Sequence, residues 1–160
     1  MSELRNITYD ELQVNDYATF TRPLTEEALI LYAVSKENHK SLGLDINTVK
    51  KSLHQENIGY GMWVCELIST AFLTVIPGPG TIHLEQDLKF QAQVELQDTL
   101  TVKLNVTEKQ ENNRVLFSCE VFNQEGELVV SGTAKVVAPS EKIALDQTSL
   151  PQLTILNNKV

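Results

Sequence analysis

The sequence predicts an α+β fold in which an antiparallel sheet wraps around one long buried helix. Three observations carry this prediction: a long apolar stretch of helical character, a series of alternating strand patterns after it, and a clear hairpin turn between the last two strands. A helix that is apolar on almost its whole circumference needs protein on most sides. The strands that follow the helix are therefore expected to form its cover.

The central helix is expected in the stretch IGYGMWVCELISTAFLTVIPGPG, which starts at residue 58. Gly59 and Gly61 precede the apolar run, and the Pro-Gly-Pro-Gly of residues 77–80 ends it abruptly. The polar residues of this run fall on one narrow stripe, namely Glu66, Ser69, Thr70 and Thr74. Because the other side chains are apolar, nearly the whole helix surface is expected to be buried.

Two shorter elements are expected before the central helix. The stretch DYATFTRPL predicts a strand over residues 16–22, and Thr25 is a plausible N-cap for a helix over residues 26–34. Glu26 and Glu27 then occupy the first turn, where carboxylates suit the positive end of the helix dipole. Residues 36–57 are polar and irregular, with one short helix expected near residues 45–53. Long excursions of this kind are often functional in compact domains.

Strands are expected after the helix in residues 81–90, 101–109, 114–122 and 127–137. In the first of them, four apolar residues alternate with four polar ones: Ile82, Leu84, Leu88 and Phe90 against His83, Glu85, Asp87 and Lys89. The last two strands are joined at residues 123–126, Asn-Gln-Glu-Gly, which predicts a hairpin turn. We therefore assign residues 1–139 to one domain and residues 140–160, which are polar and Pro-interrupted, to a C-terminal tail or linker remnant.

Composition excludes several classes of function. A net charge of −8 without a run of Lys or Arg argues against nucleic-acid binding. No apolar signal segment begins the sequence, and its longest apolar stretch is too short to span a bilayer, so a cytoplasmic protein without membrane contact is expected. Cys65 and Cys119 are expected to be buried free thiols. The three histidines lack metal-ligand spacing, and neither a metal nor another cofactor is expected.

Three stretches, GMWVCELIS, IPGPGTIHLEQDLKF and VFNQEGELVVSGTAKVVAP, resemble the MaoC-like (R)-specific enoyl-CoA hydratases, which have the hot-dog fold. They are especially similar to the hydratase domain that precedes a phosphate acetyltransferase domain in certain bacterial fusion proteins. The resemblance covers residues 7–151, and the segment after residue 140 resembles the start of the linker in those proteins. It implies a homodimer whose two sheets join edge to edge, with an acyl-CoA or acyl-carrier thioester bound near the subunit interface.

The resemblance also implies a reaction. These enzymes add water reversibly to a trans-2-enoyl thioester and form the (R)-3-hydroxyacyl product. Their first motif, S-G-D-x-N-P-x-H, supplies a carboxylate and an imidazole that hold one water, remove a proton from it and deliver a proton to C2. Their second motif, H-G-M, starts the central helix, where backbone N–H groups are well placed to stabilise negative charge on the thioester oxygen.

The first motif corresponds to SKENHKSLGLD, residues 35–45, and this stretch departs from the motif. Glu37 falls on the aspartate and His39 falls on the asparagine. The histidine position is Leu42 in a gap-free alignment, or Gly43 when the downstream Leu-Asp is the anchor. His39 replaces the missing imidazole only if the loop is re-threaded by three residues, so the standard dyad is broken.

The second motif reads Tyr60-Gly61-Met62 in this sequence. The implied site is therefore Glu37, His39 and Tyr60 as catalytic residues, with Gly61 and Met62 as oxyanion-stabilising and substrate-binding residues. Each of these residues also has a purely structural explanation. Isolated acids and histidines in a polar loop usually face water, a tyrosine often packs its ring, and a glycine can serve only close backbone approach.

Three functions are consistent with these residues. One is an (R)-specific enoyl-CoA hydratase or dehydratase with a degenerate dyad and altered activity. Another is an acyl-CoA thioesterase in which Glu37 activates water. The third is a non-catalytic module that binds an acyl thioester or serves only in dimerisation. The family resemblance favours the first function, and the missing histidine favours the third.

Overall fold

The computed structural model of the protein describes residues 3–28, residue 32 and residues 58–146. Their elements, in chain order, are β1 (Glu3–Arg5), β2 (Tyr17–Pro23), α1 (Ile58–Thr74), β3 (Ile82–Phe90), β4 (Thr99–Gln110), β5 (Arg114–Phe122), β6 (Leu128–Val137) and β7 (Ala144–Asp146). Residues 26–28 and 32 are also helical. Most of the helix expected over residues 26–34, the loop 36–57 and its short helix lie outside the described residues.

Five of the described strands form one antiparallel sheet in the order β2-β4-β5-β6-β3, and α1 packs against one of its faces. The presence of strands in the stretches predicted for β2 to β6 is confirmed. So is the hairpin turn between β5 and β6, where the Gly126 N–H donates to the Asn123 carbonyl at 3.0 Å. Gly126 has a φ of +81°, a conformation that glycine adopts without the strain of a side chain.

The hydrophobic core lies between the sheet and α1. Alternate residues of β4 and β5 are fully buried, as a strand with one covered face requires. From α1, the buried residues recur at three- and four-residue spacing, namely Trp63, Val64, Leu67, Ile68, Ala71 and Phe72. The side chain of Cys119 is fully buried in this core, as predicted, whereas that of Cys65 is only partly buried.

Burial covers one face of α1 rather than nearly all of it. Met62 and Leu73 keep 57% and 47% of their surface exposed, and Glu66 is exposed as well. The expectation of burial on almost every side is corrected in this respect, because the sheet contacts the helix from one direction only. In the part of the chain that the structure describes, no helix is long and apolar enough to cross a membrane.

The alternation predicted for β3 also needs a correction at one position. A β-bulge interrupts the pairing with β6 between His83 and Glu85. His83 lies opposite the buried Val136, so its ring is on the core face of the sheet, together with Leu88 and Phe90. The extra residue of the bulge changes the phase of the alternation, and His83 joins the apolar face that it was expected to oppose.

The two ends of the described chain pair with each other, which the sequence patterns did not predict. β1 and β7 form a small antiparallel sheet, so residues 144–146 are a strand within the segment that we assigned to the tail. Asn6 is buried beside this sheet, where its side-chain amide donates to the Glu141 carbonyl at 2.7 Å and accepts from the Ile143 N–H at 2.9 Å. The domain boundary at residue 139 remains a prediction.

Candidate functional site

The candidate site lies at the start of α1, where the second motif places Tyr60, Gly61 and Met62. The first four N–H groups of a helix have no carbonyl partner in the helix, and they carry the positive end of its dipole. Because α1 begins at Ile58, these free amides extend to Tyr60, and the Gly61 amide is the next one along the chain. A helix start of this kind attracts an anionic or partly charged oxygen.

Space is restricted around Gly61. A Cβ at this position would lie 3.2 Å from Cε1 and 3.5 Å from Cδ1 of Phe90, the last residue of β3. The Phe90 ring therefore rests directly against the first turn of α1. Met62 follows Gly61 and is more than half exposed, so it is available to a ligand at the helix start. Tyr60 belongs to the same turn, and its side chain is outside the described part.

Two of the four residues of the polar stripe on α1 hydrogen-bond to carbonyl groups of the helix itself. The hydroxyl of Thr70 donates to the Glu66 carbonyl at 2.9 Å, and that of Thr74 donates to the Thr70 carbonyl at 2.7 Å. The Cys65 thiol donates to the Gly61 carbonyl at 3.6 Å. Glu66 is exposed, so its carboxylate needs no compensating partner of the kind that a buried charge requires.

Tyr32 lies near the candidate site, and the sequence patterns did not predict this position for it. It packs against the hydrophobic core, and burial raises the pKa of its hydroxyl, with further contributions from the charges of Glu66 and Cys65. Tyr32 thus lies close to the second turn of α1, and it precedes Glu37 by only five residues. Burial also raises the pKa of the Cys65 thiol, which disfavours a reactive thiolate.

Glu37 and His39 lie outside the described residues, so among the predicted site residues the structure brings together only those of the helix start. His83 is described and is not a substitute for the missing imidazole within the same chain. Its ring stacks edge-on against Phe72, with centroids 5.0 Å apart. Phe72 follows Gly61 by eleven residues, which is roughly 16 Å along a helix.

An antiparallel sheet that packs on a single apolar helix is the hot-dog fold, and comparisons with known proteins agree with this class. The chain is similar to the structure of R-hydratase PhaJ1 from Pseudomonas aeruginosa in its unliganded form. The two share 38% sequence identity over 96% of this chain and 99% of that one, with a TM-score of 0.79. No family model matches the sequence.

Two further relatives have related names. The (R)-hydratase of Aeromonas caviae, described as involved in PHA biosynthesis, is 28% identical over 80% of this chain and 98% of its own, with a TM-score of 0.65. The 3-hydroxybutyryl-CoA dehydratase of Methylorubrum extorquens is 25% identical over 90% of this chain and 92% of its own length. This chain belongs to the MaoC-like (R)-specific enoyl-CoA hydratase family.

Proposed function

We propose that the protein binds a trans-2-enoyl thioester of coenzyme A or of an acyl carrier and catalyses its reversible hydration to the (R)-3-hydroxyacyl form. The observation that carries the proposal is the 38% identity to an R-hydratase over nearly the whole length of both chains. The helix start with its free amides, the feature that binds the thioester oxygen in this proposal, supports it independently of the names of relatives.

In the proposed mechanism one carboxylate does the work that the family divides between two groups. Glu37 removes a proton from a bound water, and the water oxygen forms a bond to C3 of the enoyl group. The π electrons of the double bond move toward the thioester oxygen, where the free amides of the first turn of α1, which extend to Tyr60, donate hydrogen bonds. The protonated Glu37 then returns the proton to C2, so that one water is added and the carboxylate is regenerated.

The other predicted residues have supporting roles in this proposal. His39 or Tyr60 holds the water against Glu37 in place of the missing imidazole. A phenol titrates near pH 10, so Tyr60 is suited to donating a hydrogen bond and not to removing a proton at neutral pH. The exposed side chain of Met62 offers an apolar contact to the substrate.

We further propose that the protein is a cytoplasmic homodimer joined along β3. Ile82 and Leu84 are 59% and 44% exposed on this strand. Among the described strands, β3 pairs only with β6, so its other edge is open. An exposed apolar edge strand invites pairing with another chain, and pairing with a second copy of β3 satisfies both edges at once.

The missing histidine favours a second function, which is binding of the acyl thioester without catalysis. Loss of one member of a catalytic pair typically costs orders of magnitude in rate, although oriented binding and oxyanion stabilisation sustain a residual rate. A thioesterase in which Glu37 activates water remains the further alternative, and it is distinguished by its products.

The test is hydration of crotonyl-CoA, followed as the loss of the conjugated enoyl absorbance, with wild-type protein and the Glu37→Gln variant. Glu37→Gln keeps the size of the side chain and removes the base, so we expect kcat to fall about 10²–10⁴-fold. Glu111→Gln is the matched control, since this exposed acid lies in the turn between β4 and β5. Equal rates for wild type and Glu37→Gln would contradict the proposed role of Glu37.

A pair of gain-of-function variants tests the assignment of the missing imidazole. Leu42→His and Gly43→His each restore a histidine at one of the two aligned positions. One of them is expected to raise kcat/KM about 10²-fold, the lower end of the usual contribution of an acid–base group. If neither variant exceeds the wild-type rate, the activity is not limited by the absence of a histidine at these two positions.

A further inference from the structure

Gly61 occupies a helical position at which glycine is the less favourable choice. Glycine in a helix costs about 1 kcal/mol relative to alanine, and the backbone of Gly61, unlike that of Gly78 or Gly80, does not have a positive φ that would require it. A methyl group here would lie 3.2 Å from the Phe90 ring, a contact tight enough that the ring would have to move by a few tenths of an ångström. Close approach between this ring and the first turn of α1 is therefore the structural role of Gly61.

Phe90 makes this approach without being buried. It lies opposite the buried Val130, which places its ring on the α1 side of the sheet, yet 54% of its surface stays exposed. A phenyl ring in that position has one part on the helix start and another part open to a ligand. An aromatic side chain of this size offers a large apolar contact surface.

We infer that Phe90 is a substrate-contacting residue, whose ring forms the wall of the pocket beside the first-turn amides and fixes the plane in which the thioester lies. This inference rests on the proposed function, because it takes an acyl thioester as the ligand of the helix start. The ring also excludes water from one side of these amides, which strengthens their hydrogen bonds to the thioester oxygen.

Kinetics of Phe90→Leu and Phe90→Tyr with crotonyl-CoA give the first test. Phe90→Leu removes the flat ring and is expected to raise KM about tenfold with a smaller change in kcat, as expected when a contact is made in both ground and transition states. Phe90→Tyr keeps the ring and is expected to stay within about twofold of wild type. Tyr17→Leu is the control, an exposed aromatic residue on the opposite edge strand, β2, with an expected KM equal to that of wild type.

A double-mutant cycle gives the second test. Gly61→Ala alone is expected to reduce kcat/KM because the new methyl group displaces the Phe90 ring. In the Gly61→Ala/Phe90→Leu double variant the smaller side chain makes room, so its kcat/KM is expected to exceed the product of the two separate effects by about tenfold. Additive effects, or a Phe90→Leu variant with unchanged KM, would overturn the inference.

Binding separates a failure of this inference from a failure of the proposed function. Isothermal titration calorimetry with crotonyl-CoA measures this binding without a reporter residue. If wild type binds without hydrating, a tenfold weaker Kd for Phe90→Leu supports the inference, and an unchanged Kd overturns it. A wild-type protein that neither hydrates nor binds crotonyl-CoA overturns the proposed function and the inference together.

Discussion

β3 and β5 are two nine-residue strands of the same sheet, and they differ sharply in burial. In β5, Val115, Phe117, Cys119 and Val121 are fully buried, and they alternate with partly covered residues. In β3, all residues except Leu88 are exposed. β5 lies between β4 and β6, whereas β3 lies at an edge of the sheet as the structure describes it.

The difference in burial indicates that the two strands have different roles, β5 in stability and β3 in binding. The side chains of β5 build the core that holds α1, so their packing determines the free energy of unfolding. The side chains of β3 contribute little to this core. Three of its apolar side chains, those of Ile82, Leu84 and Phe90, are exposed, and Phe90 contacts the helix start. Exposed apolar surface of this kind marks binding sites more often than structural ones. The predictions below therefore contrast changes in the core with changes along β3.

The largest expected difference in the free energy of unfolding is between Phe117→Ala in β5 and Phe90→Ala in β3. Phe117 is fully buried and stacks edge-on with Phe72, with ring centroids 5.0 Å apart. Phe117→Ala is expected to lower the free energy of unfolding by about 3–5 kcal/mol, the usual cost of a large cavity. Phe90→Ala is expected to cost less than about 1 kcal/mol, because the ring is half exposed. Urea unfolding monitored by circular dichroism measures the free energy of unfolding of both variants. Equal losses for the two variants would contradict the claim that β5 stabilises the core more than β3 does.

Gly132 tests the contact that positions β3 against β6. A Cβ at Gly132 would collide with the backbone carbonyl oxygen of Asp87, which cannot rotate away. Gly132→Ala is therefore expected to displace β3 and to lower the free energy of unfolding by about 1–3 kcal/mol. Thr133→Ala, an exposed neighbour on the same strand, is the control and is expected to have little effect. Unchanged urea unfolding of Gly132→Ala would show that β3 is not held closely by β6.

Substitution of Asn6 tests whether the N-terminal segment holds the turn between α1 and β3. The Ile7 N–H donates to the Pro77 carbonyl at 2.7 Å, so the N-terminal segment holds the turn between α1 and β3. Asn6→Ala removes two side-chain hydrogen bonds in a buried position and is expected to cost about 1 kcal/mol. Asn105→Ala serves as a control in a partly exposed position of β4. A Tm equal to that of wild type would mean that the terminal sheet does not support this turn.

Glu11 gives the smallest expected effect, and it depends on pH. A hydrogen bond from Lys142, followed by hydrogen bonds from Thr8, lowers the pKa of the Glu11 carboxyl from 4.5 to about 2. A lowered pKa in the folded state stabilises the protein above pH 4.5, and this stabilisation is lost as the pH falls from 4.5 toward 2.

The expected result is a lower Tm for Glu11→Gln than for wild type at pH 7, with the difference shrinking progressively below pH 4.5. Thermal unfolding at a series of pH values measures it. A difference in Tm that is constant from pH 7 to pH 2 would mean that the charge of Glu11 does not contribute.

The sheet strands were predictable because alternation of apolar and polar residues needs only local information. Thr25 was predictable as an N-cap for the same reason, and its hydroxyl accepts a hydrogen bond from the Ala28 N–H at 3.2 Å. The bulge after His83 was not predictable, because it depends on the pairing of β3 with β6 and not on the order of residues in β3. The pairing of β1 with β7 joins residues more than 130 positions apart, and no short pattern reveals it.

The candidate site was predictable only in part. Gly61 and Met62 follow from the motif at the start of α1, because a helix start is encoded locally. Phe90 was expected only as an apolar strand residue, and its position against Gly61 emerges from the packing of β3 beside α1. Glu37 and His39 depend on the path of residues 36–57, which the altered motif does not specify. Their roles therefore remain proposals.

Identification of the products formed from crotonyl-CoA tests the central claim most directly. Wild-type protein is incubated with crotonyl-CoA, and the products are separated and assigned by chiral chromatography. The account predicts (R)-3-hydroxybutyryl-CoA, in equilibrium with the remaining substrate and without release of free coenzyme A. Free crotonate and coenzyme A would instead show a thioesterase. Unchanged crotonyl-CoA would contradict the assignment of the protein as a hydratase.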